Sequence, residues 1–287
     1  MKRALLGLVM GGLLLTFNGL ARAGDFTLDV STVCAGCPTV SDVFGFTFIG
    51  LSNIQYTSGS GLGPTDPFID HGVLVATAIK DTATTTLAAG ATGLGVTWEL
   101  GAVFDGLAGA NTSVTGTVVQ FDFTPGVGTI SLYASPGFGN MTTSDPTSVT
   151  AGTLVGVLSL VSGSGNFDFD PDETDGNINL VAEFISLPVP GFWQFLGIPI
   201  ELGTQIFLAL TDSNNDLTGA SAAEIAAFCA FFGGTCGTNS PPGNFFVSND
   251  GSVELQVSAV PEPSTLVLLG SGLIGLAVVM RRRKAAK

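Results

Sequence analysis

Basic side chains are almost absent from the middle of this sequence. Of nine lysines and arginines, only Lys80 lies between residues 24 and 259, whereas 22 of the 23 acidic residues lie there, so one base against 22 acids gives this part a net charge of −21. Binding to nucleic acids or anionic lipids requires many cationic side chains, and this part has no arginine to clamp a phosphate or carboxylate. The composition therefore excludes anionic partners and favours cations, although acidity can also serve solubility alone.

Recognisable catalytic signatures are missing as well. His71 is the only histidine, and no Gly-x-Ser-x-Gly elbow, phosphate-binding loop or dinucleotide fingerprint is present. The tripeptide 70–72 is predicted to form a turn before an apolar strand. We expect a protein without enzymatic activity. The alternative is a secreted lectin or glycan-active enzyme, since two carboxylates can form a glycosidase pair that sequence spacing does not identify.

The chain between the two ends has the pattern of β structure. Short segments rich in valine, threonine and phenylalanine are separated by glycine, asparagine, aspartate, serine and proline. They predict strands at residues 43–49, 72–79, 95–104, 114–123, 128–133, 153–160, 178–187, 205–210 and 253–259. Glycine-rich segments at 57–63 and 162–165 are predicted to be loops. The pattern predicts one all-β domain over residues 24–259, with a β-sandwich or jelly-roll architecture.

One short helix is predicted at residues 222–232. Ser221 and Glu224 have the spacing of a capping box, in which each side chain hydrogen-bonds the backbone of the other residue. Ile225 and Phe228 lie on one face, and the glycines that follow residue 232 end the helix.

The four cysteines suggest disulfides, because the chain is predicted to be exported. Cys34, Cys37, Cys229 and Cys236 allow three pairings. Local pairs would close two small loops, whereas cross-pairing would join the N-terminal region to a segment near the C-terminus. Spacing alone leaves these pairings open.

A first acidic cluster is a candidate calcium site. Asp168, Asp170, Asp172 and Asp175 alternate with other residues before Gly176. Oxygen ligands at alternate positions before a turn are typical of a calcium loop, although the glycine comes later than in an EF-hand. An acidic surface turn without a metal is the other interpretation.

A second cluster resembles an EF-hand loop lengthened by one residue. Asp212, Asn214 and Asp216 alternate and precede the predicted helix, with Glu224 at position thirteen. Leu217 stands where the loop requires its turn glycine, and Glu224 already has a capping role. Calcium is thus the one cofactor that the sequence suggests, and Asx-rich surface turns are again the alternative.

The N-terminus has the features of a signal peptide. Lys2 and Arg3 precede an apolar stretch from residue 4 to residue 20. Ala21 and Ala23 supply the small residues that a signal peptidase reads, which predicts cleavage before Gly24 and a signal peptide over residues 1–23.

The C-terminus has three consecutive parts. Pro261, Glu262 and Pro263 come first, a run of apolar or small residues occupies 266–280, and a basic cluster follows. A helix over 15 residues is about 22 Å long, and flanking arginines that reach the headgroups allow it to span a thin bilayer. Both terminal charge clusters predict that the part between them is exported across the inner membrane. A plain membrane anchor that is never cleaved is the alternative to a processing signal.

This order of parts over residues 260–287 resembles the PEP-CTERM sorting signal of Gram-negative bacteria. The resemblance covers about a tenth of the chain and implies processing by an exosortase and delivery to a surface rich in exopolysaccharide. Together with the missing catalytic signatures, this resemblance leads us to expect a non-catalytic role in the extracellular matrix, in cell aggregation, flocculation or biofilm cohesion, with extracellular polysaccharide as a partner. The folded domain resembles no family that its residues identify.

Overall fold

The computed structural model describes residues 26–57, 63–169, 176–200, 202, 206–217, 220–233 and 244–257, with the backbone alone for 206–217 and 256–257. The predicted signal peptide, Asp170 to Asp175, Cys236 and the C-terminal tail lie outside these residues. No helix within the described ranges is long and apolar enough to cross a membrane. The helix predicted at 266–280 lies outside those ranges and stays a prediction.

The described part of the chain is built mainly from β-strands, as the sequence predicts. Thirteen strands occur in these ranges, and they are β1 Phe26–Asp29, β2 Thr39–Val43, β3 Gly45–Tyr56, β4 Pro67–Lys80, β5 Trp98–Thr115, β6 Val118–Phe123, β7 Thr129–Pro136, β8 Thr153–Asp168, β9 Gly176–Ser186, β10 Trp193–Phe195, β11 Ile198–Pro199, β12 Ile206–Leu217 and β13 Asn244–Val257. They form two sheets. The expected all-β fold class is therefore confirmed.

The larger sheet closes on itself. Its strand order is β4-β3-β13-β12-β9-β8-β6-β5-β7, and β4 also pairs with β5 while β8 also pairs with β7. The long strand β5 has three partners, since its first half pairs with β7, its middle with β4 and its last part with β6. All of these pairings are antiparallel. The closed sheet thus has an interior face and an outer face.

The interior face carries most of the hydrophobic core. Because side chains alternate along a strand, one set on each strand points inward, as Val119, Phe121 and Phe123 do in β6, where all three are buried. Phe68, Phe121 and Phe123 pack edge to face with ring centroids 5.3–5.6 Å apart. The alternation that the sequence shows in this segment is confirmed.

The smaller sheet joins the same core. Its order is β11-β10-β1-β2, and Phe26, Leu28 and Trp193 are buried with the interior residues. Trp193 lies 5.2 Å from the ring of Phe184 and donates its indole N–H to the Val155 carbonyl oxygen at 2.9 Å. The smaller sheet therefore contributes an aromatic side chain to the interior of the larger one.

Three short α-helices occur in the described residues, and they are α1 Ala89–Thr92, α2 Pro146–Thr150 and α3 Ala222–Phe232. The predicted helix is confirmed as α3, with both hydrogen bonds of its capping box present. Phe228 of α3 is buried against Phe246 of β13, with ring centroids 5.4 Å apart. Helices α2 and α3 cover one patch on the outer face of the closed sheet.

Two segments differ from their sequence-based expectations. Residues 162–165, expected to be a loop, lie within β8, and residues 70–72, expected to be a turn, lie within β4. A Cβ at Gly165 would lie 2.5 Å from the Asn177 carbonyl oxygen and 2.6 Å from the Phe121 ring. Glycine is therefore required there for packing between strands, and not because the chain turns.

One of the possible disulfide pairs is present in the described residues. Cys34 and Cys37 are bonded to each other, both are buried, and they lie near the Thr97 carbonyl oxygen. Cys229 is also disulfide-bonded. Cys34 therefore forms a local pair and does not join the two ends of the domain.

Candidate functional site

The first acidic cluster lies at the end of strand β8. Asp168 is the last residue of this strand, is partly exposed and stands opposite Val118 in the register of β6. Asp170, Asp172 and Asp175 lie outside the described residues. The structure therefore places one member of this cluster, and the calcium site stays a prediction.

The second acidic cluster lies in a strand, whereas its resemblance to an EF-hand predicts a loop. Asp212, Asn214 and Asp216 belong to β12, which pairs with β13 on one side and with β9 on the other. Both ladders have an irregularity between residues 210 and 214. Glu224, the fourth candidate ligand, accepts a hydrogen bond from its own helix cap, the Ser221 N–H, at 2.7 Å.

No group of three or more histidine, cysteine or acidic residues that could hold a metal occurs in the described ranges. These ranges leave out part of the first acidic cluster and the side chains of the second. Calcium binding by either cluster therefore stays a prediction.

A cluster of three polar side chains that the sequence analysis did not single out lies inside the closed sheet. Asp70 of β4, Ser52 of β3 and Asn249 of β13 are all buried. The Asn249 side-chain amide donates to the Ser52 hydroxyl oxygen at 3.1 Å, and the Ser52 hydroxyl hydrogen-bonds the Asp70 carboxyl group. Three neighbouring strands thus carry a chain of hydrogen bonds that ends at a buried carboxyl group.

The Asp70 carboxyl group is incompletely satisfied. Its Oδ1 atom is buried and has no hydrogen-bond partner in the described structure. Burial raises the pKa of Asp70 well above its ordinary value of 3.8, and the hydrogen bonds from Ser52 and from the His71 backbone only partly oppose this rise. We therefore expect Asp70 to be protonated in the folded protein at pH values where an exposed aspartate is ionised.

Glu99 differs from Asp70, because it is a buried carboxylate whose two oxygens both have hydrogen-bond partners. Its two carboxylate oxygens accept backbone N–H groups from Gly139, Asn140 and Met141 at 2.8, 2.9 and 3.1 Å. These bonds fix the loop after β7 on the outer face. Glu99 therefore has a structural role, whereas Asp70 has hydrogen-bonding capacity that the protein does not use.

Asp70 borders a cavity inside the closed sheet. The cavity has a volume of about 80 Å³, and its walls are apolar except at Asp70 and Asn249. Phe46, Phe104 and Trp193 are among its lining residues. A concave apolar space with one or two polar groups has the general character of a small-molecule site.

The sequence holds a signal that could have located Asp70. In the segment Phe68-Ile69-Asp70-His71-Gly72, strand alternation places Asp70 on the same face as the buried Phe68. The prediction of a turn at 70–72 is wrong because it leaves this alternation out of account. Ser52 and Asn249 carry no comparable signal, because their proximity depends on strand pairing.

His71 lies on the opposite face of β4 and interacts with α3. Its Nδ1 atom is 2.7 Å from Asp105 Oδ1, and its ring centroid is 5.0 Å from that of Phe232. The Gly106 N–H also lies 3.2 Å from Nδ1. Nδ1 donates to Asp105 when it carries a proton and accepts from Gly106 when it does not, so the ring has a partner in either form.

The comparisons with known proteins identify one end of the chain. Residues 259–284 match the family described as the PEP-CTERM protein-sorting motif. The chain carries a PEP-CTERM sorting signal. This signal indicates an exosortase substrate that is exported and sorted to the cell surface. No curated protein and no solved structure matches the chain significantly.

The matched segment includes the predicted sorting motif Pro261, Glu262 and Pro263. The resemblance that the sequence suggests is therefore confirmed. The family describes the tail and leaves the activity of the folded domain open. Ala21 and Ala23, the predicted signal-peptidase residues, lie outside both this match and the described residues, so the cleavage site stays a prediction.

Proposed function

We propose that this protein is a non-catalytic component of the extracellular matrix that associates with exopolysaccharide and promotes cell aggregation, flocculation or biofilm cohesion. The sorting signal at residues 259–284 is the observation that carries the proposal. Proteins that bear such a tail are processed by exosortases and delivered outside the inner membrane. An acidic domain outside the inner membrane is exposed to polysaccharide and divalent cations, and not to cytoplasmic substrates.

The charge of the exported domain supports a role for divalent cations. A single lysine and a single histidine stand against 22 carboxylates, so most carboxylates have no cationic partner within the domain. Lys80 is itself buried, whereas Asp42, Asp122 and Asp250 are exposed. Calcium between such carboxylates and acidic or hydroxyl-rich polysaccharide would offset their mutual repulsion and link protein to matrix.

A deletion strain tests the proposed role in aggregation. We expect cells without the protein to settle more slowly than the parent, and expect a calcium chelator to slow the parent towards the rate of the deletion strain. Complementation with the intact gene restores settling. A deletion strain that settles like the parent, with and without chelator, would contradict the proposal.

The sorting motif provides a second arm of this experiment. Complementation with Glu262→Ala should leave the protein unprocessed in the membrane fraction, and settling should not be restored. Glu254→Ala is the matched control, because it removes a carboxylate from strand β13, outside residues 259–284. Release of the Glu262→Ala protein at the parental rate would show that the tail acts without its motif.

Calcium binding is tested separately on the purified protein. We expect the melting temperature to rise in millimolar calcium, and expect this rise to shrink when Asp168, Asp170, Asp172 and Asp175 are replaced together by asparagine. Replacement of Asp212 and Asp216 by asparagine tests the second cluster in the same way. An unchanged melting temperature in calcium would rule out both sites.

Measurements of glycan binding and glycan hydrolysis distinguish a lectin and a glycan-active enzyme from the proposed structural role. A glycan array that retains the protein without hydrolysis would favour a lectin, and release of reducing sugar would favour an enzyme. Neither result is expected from a purely structural matrix component. An exosortase gene in the same genome, together with a neighbouring polysaccharide locus, would agree with the sorting route.

A further inference from the structure

The interior of the closed sheet contains an apolar cavity of about 80 Å³. Protein interiors are usually packed as densely as organic crystals, so a space of this size removes packing contacts from every side chain that lines it. Its walls come from both sheets, with Phe46, Phe104 and Leu132 from the larger sheet and Trp193 from the smaller one. The space is therefore lined by core residues of both sheets.

One wall of this space carries the unused hydrogen-bonding capacity of the domain. Asp70 borders the cavity, the residue is 3% exposed, and its Oδ1 atom lacks a partner in the described structure. Ser52 and Asn249 already hydrogen-bond each other, and Ser52 holds the carboxyl group in place. The carboxyl group is thus oriented by the protein while one of its oxygens stays free for another molecule.

The size and polarity of the cavity restrict what can occupy it. A cavity of about 150 Å³ lined by apolar side chains binds benzene, so a cavity of about half that volume accommodates a body of a few heavy atoms. Two or three water molecules would also fit, at roughly 30 Å³ each, but each buried water needs two to four polar partners. Apart from Asp70 and Asn249 the walls offer none.

We propose that this cavity is a binding site for a compact, mostly apolar molecule that carries one hydroxyl group, with the hydroxyl group hydrogen-bonded to Asp70. A hydroxyl group both donates and accepts, so it satisfies the Asp70 carboxyl group whether or not the carboxyl group is protonated. The apolar body fills the space between Phe46, Phe104 and Trp193. This site is independent of the sorting signal, so its failure would leave the proposed matrix function untouched.

Two probes of the same size test the hydroxyl group directly. 1-Butanol and 1-fluorobutane have the same number of heavy atoms and a similar shape, but only 1-butanol can hydrogen-bond a carboxyl group in either protonation state. We expect the full chain, in phospholipid nanodiscs, to bind 1-butanol saturably in the millimolar range and 1-fluorobutane at least tenfold more weakly, relative to the partition of each probe into empty nanodiscs. Ligand-observed NMR measures both, with empty nanodiscs as the reference for partition into lipid.

Two variants separate the roles of the carboxyl group and the space. Asp70→Leu should abolish the preference for 1-butanol over 1-fluorobutane. Ala102→Leu adds bulk at a cavity-lining residue and leaves Asp70 intact, so it should weaken binding of both probes at least tenfold. If Asp70→Leu fails to fold, Ala102→Leu still tests the site, and Asp70→Asn, which keeps a donor and an acceptor, should retain the preference for 1-butanol.

Three outcomes would overturn the proposal. They are absence of saturable 1-butanol binding up to about 100 mM, equal affinity for 1-butanol and 1-fluorobutane, and unchanged binding in Ala102→Leu. The first would indicate that the space holds internal water only or stays empty. The second would indicate apolar filling without a role for Asp70, and the third would place the bound alcohol elsewhere.

Discussion

Asp70 and His71 are adjacent in strand β4 and face opposite sides of the same sheet. The Asp70 carboxyl group is buried in the interior, whereas the His71 ring lies on the outer face, 2.7 Å from the carboxylate of Asp105 and 5.0 Å from the ring of Phe232. Both residues are titratable, and each acts in a different environment because side chains alternate along a strand. Their contributions to stability are therefore expected to differ.

The first prediction concerns the pH dependence of stability. Because burial raises the pKa of Asp70 above 3.8, the folded protein keeps a proton that the unfolded chain loses. The contribution of Asp70 to the free energy of unfolding is therefore largest below about pH 4 and falls as pH rises towards the folded pKa, by up to about 1.4 kcal/mol per pH unit. Asp70→Asn should remove this decline in urea-unfolding experiments from pH 4 to pH 8.

Asp122→Asn is the matched control for this experiment, because Asp122 is exposed on strand β6. It should leave the slope of stability against pH close to that of the parent protein. Parallel curves for Asp70→Asn and the parent would show that Asp70 is not the group responsible.

The second prediction concerns the contact between His71 and helix α3. Phe232→Ala and His71→Ala should each lower the free energy of unfolding, and a double-mutant cycle should give a coupling of about 0.5–1.5 kcal/mol for the two rings. Asp105→Asn should cost less than 1 kcal/mol, since the Asp105 side chain is 60% exposed and polar contacts at the surface contribute little. A zero coupling energy would mean that the rings lie together without stabilising the helix.

The third prediction compares two glycines with opposite environments. A Cβ at Gly45 would lie 2.0 Å from the backbone carbonyl oxygen of Val253, so Gly45→Ala requires strands β3 and β13 to separate. We expect a loss of about 2–3 kcal/mol. Gly90 lies in helix α1, where a Cβ would have no neighbour within 4 Å, so Gly90→Ala should be neutral or should stabilise by about 0.5–1 kcal/mol. Thermal or urea unfolding of both variants measures the difference, and equal effects would argue against the close approach at Gly45.

The fourth prediction concerns the cap of helix α3. Ser221→Ala removes the side-chain acceptor for the Glu224 N–H and should cost about 1 kcal/mol, whereas Ser221→Asn keeps an acceptor and should cost much less.

The hydrogen bond from the Ser221 backbone, and then that from its side chain, lower the pKa of Glu224 below 4.5. The small contribution of this carboxylate is thus present above about pH 4.5 and is lost on acidification through the folded pKa. Equal stability of the alanine and asparagine variants would show that the cap is dispensable.

Local patterns in the sequence predicted local structure well. The capping box of Ser221 and Glu224 depends on residues three positions apart, and α3 begins and ends where this pattern indicates. Alternation at residues 119–123 predicted the inward face of β6 for the same reason. The glycines at 163 and 165 were misleading, because their place in a strand depends on rings from neighbouring strands that sequence spacing does not reveal.

The sequence by itself determined the sorting signal, the acidity of the exported domain and its β-rich character, since each depends on composition or on residues that are close in the chain. The tertiary structure decided that the larger sheet closes on itself, that Cys34 pairs locally with Cys37, and that Ser52, Asp70 and Asn249 meet beside a cavity. Asn249 and Ser52 are 197 residues apart and come together because strands β3 and β13 are paired. Such a contact depends on the register between distant strands, which a single sequence does not specify.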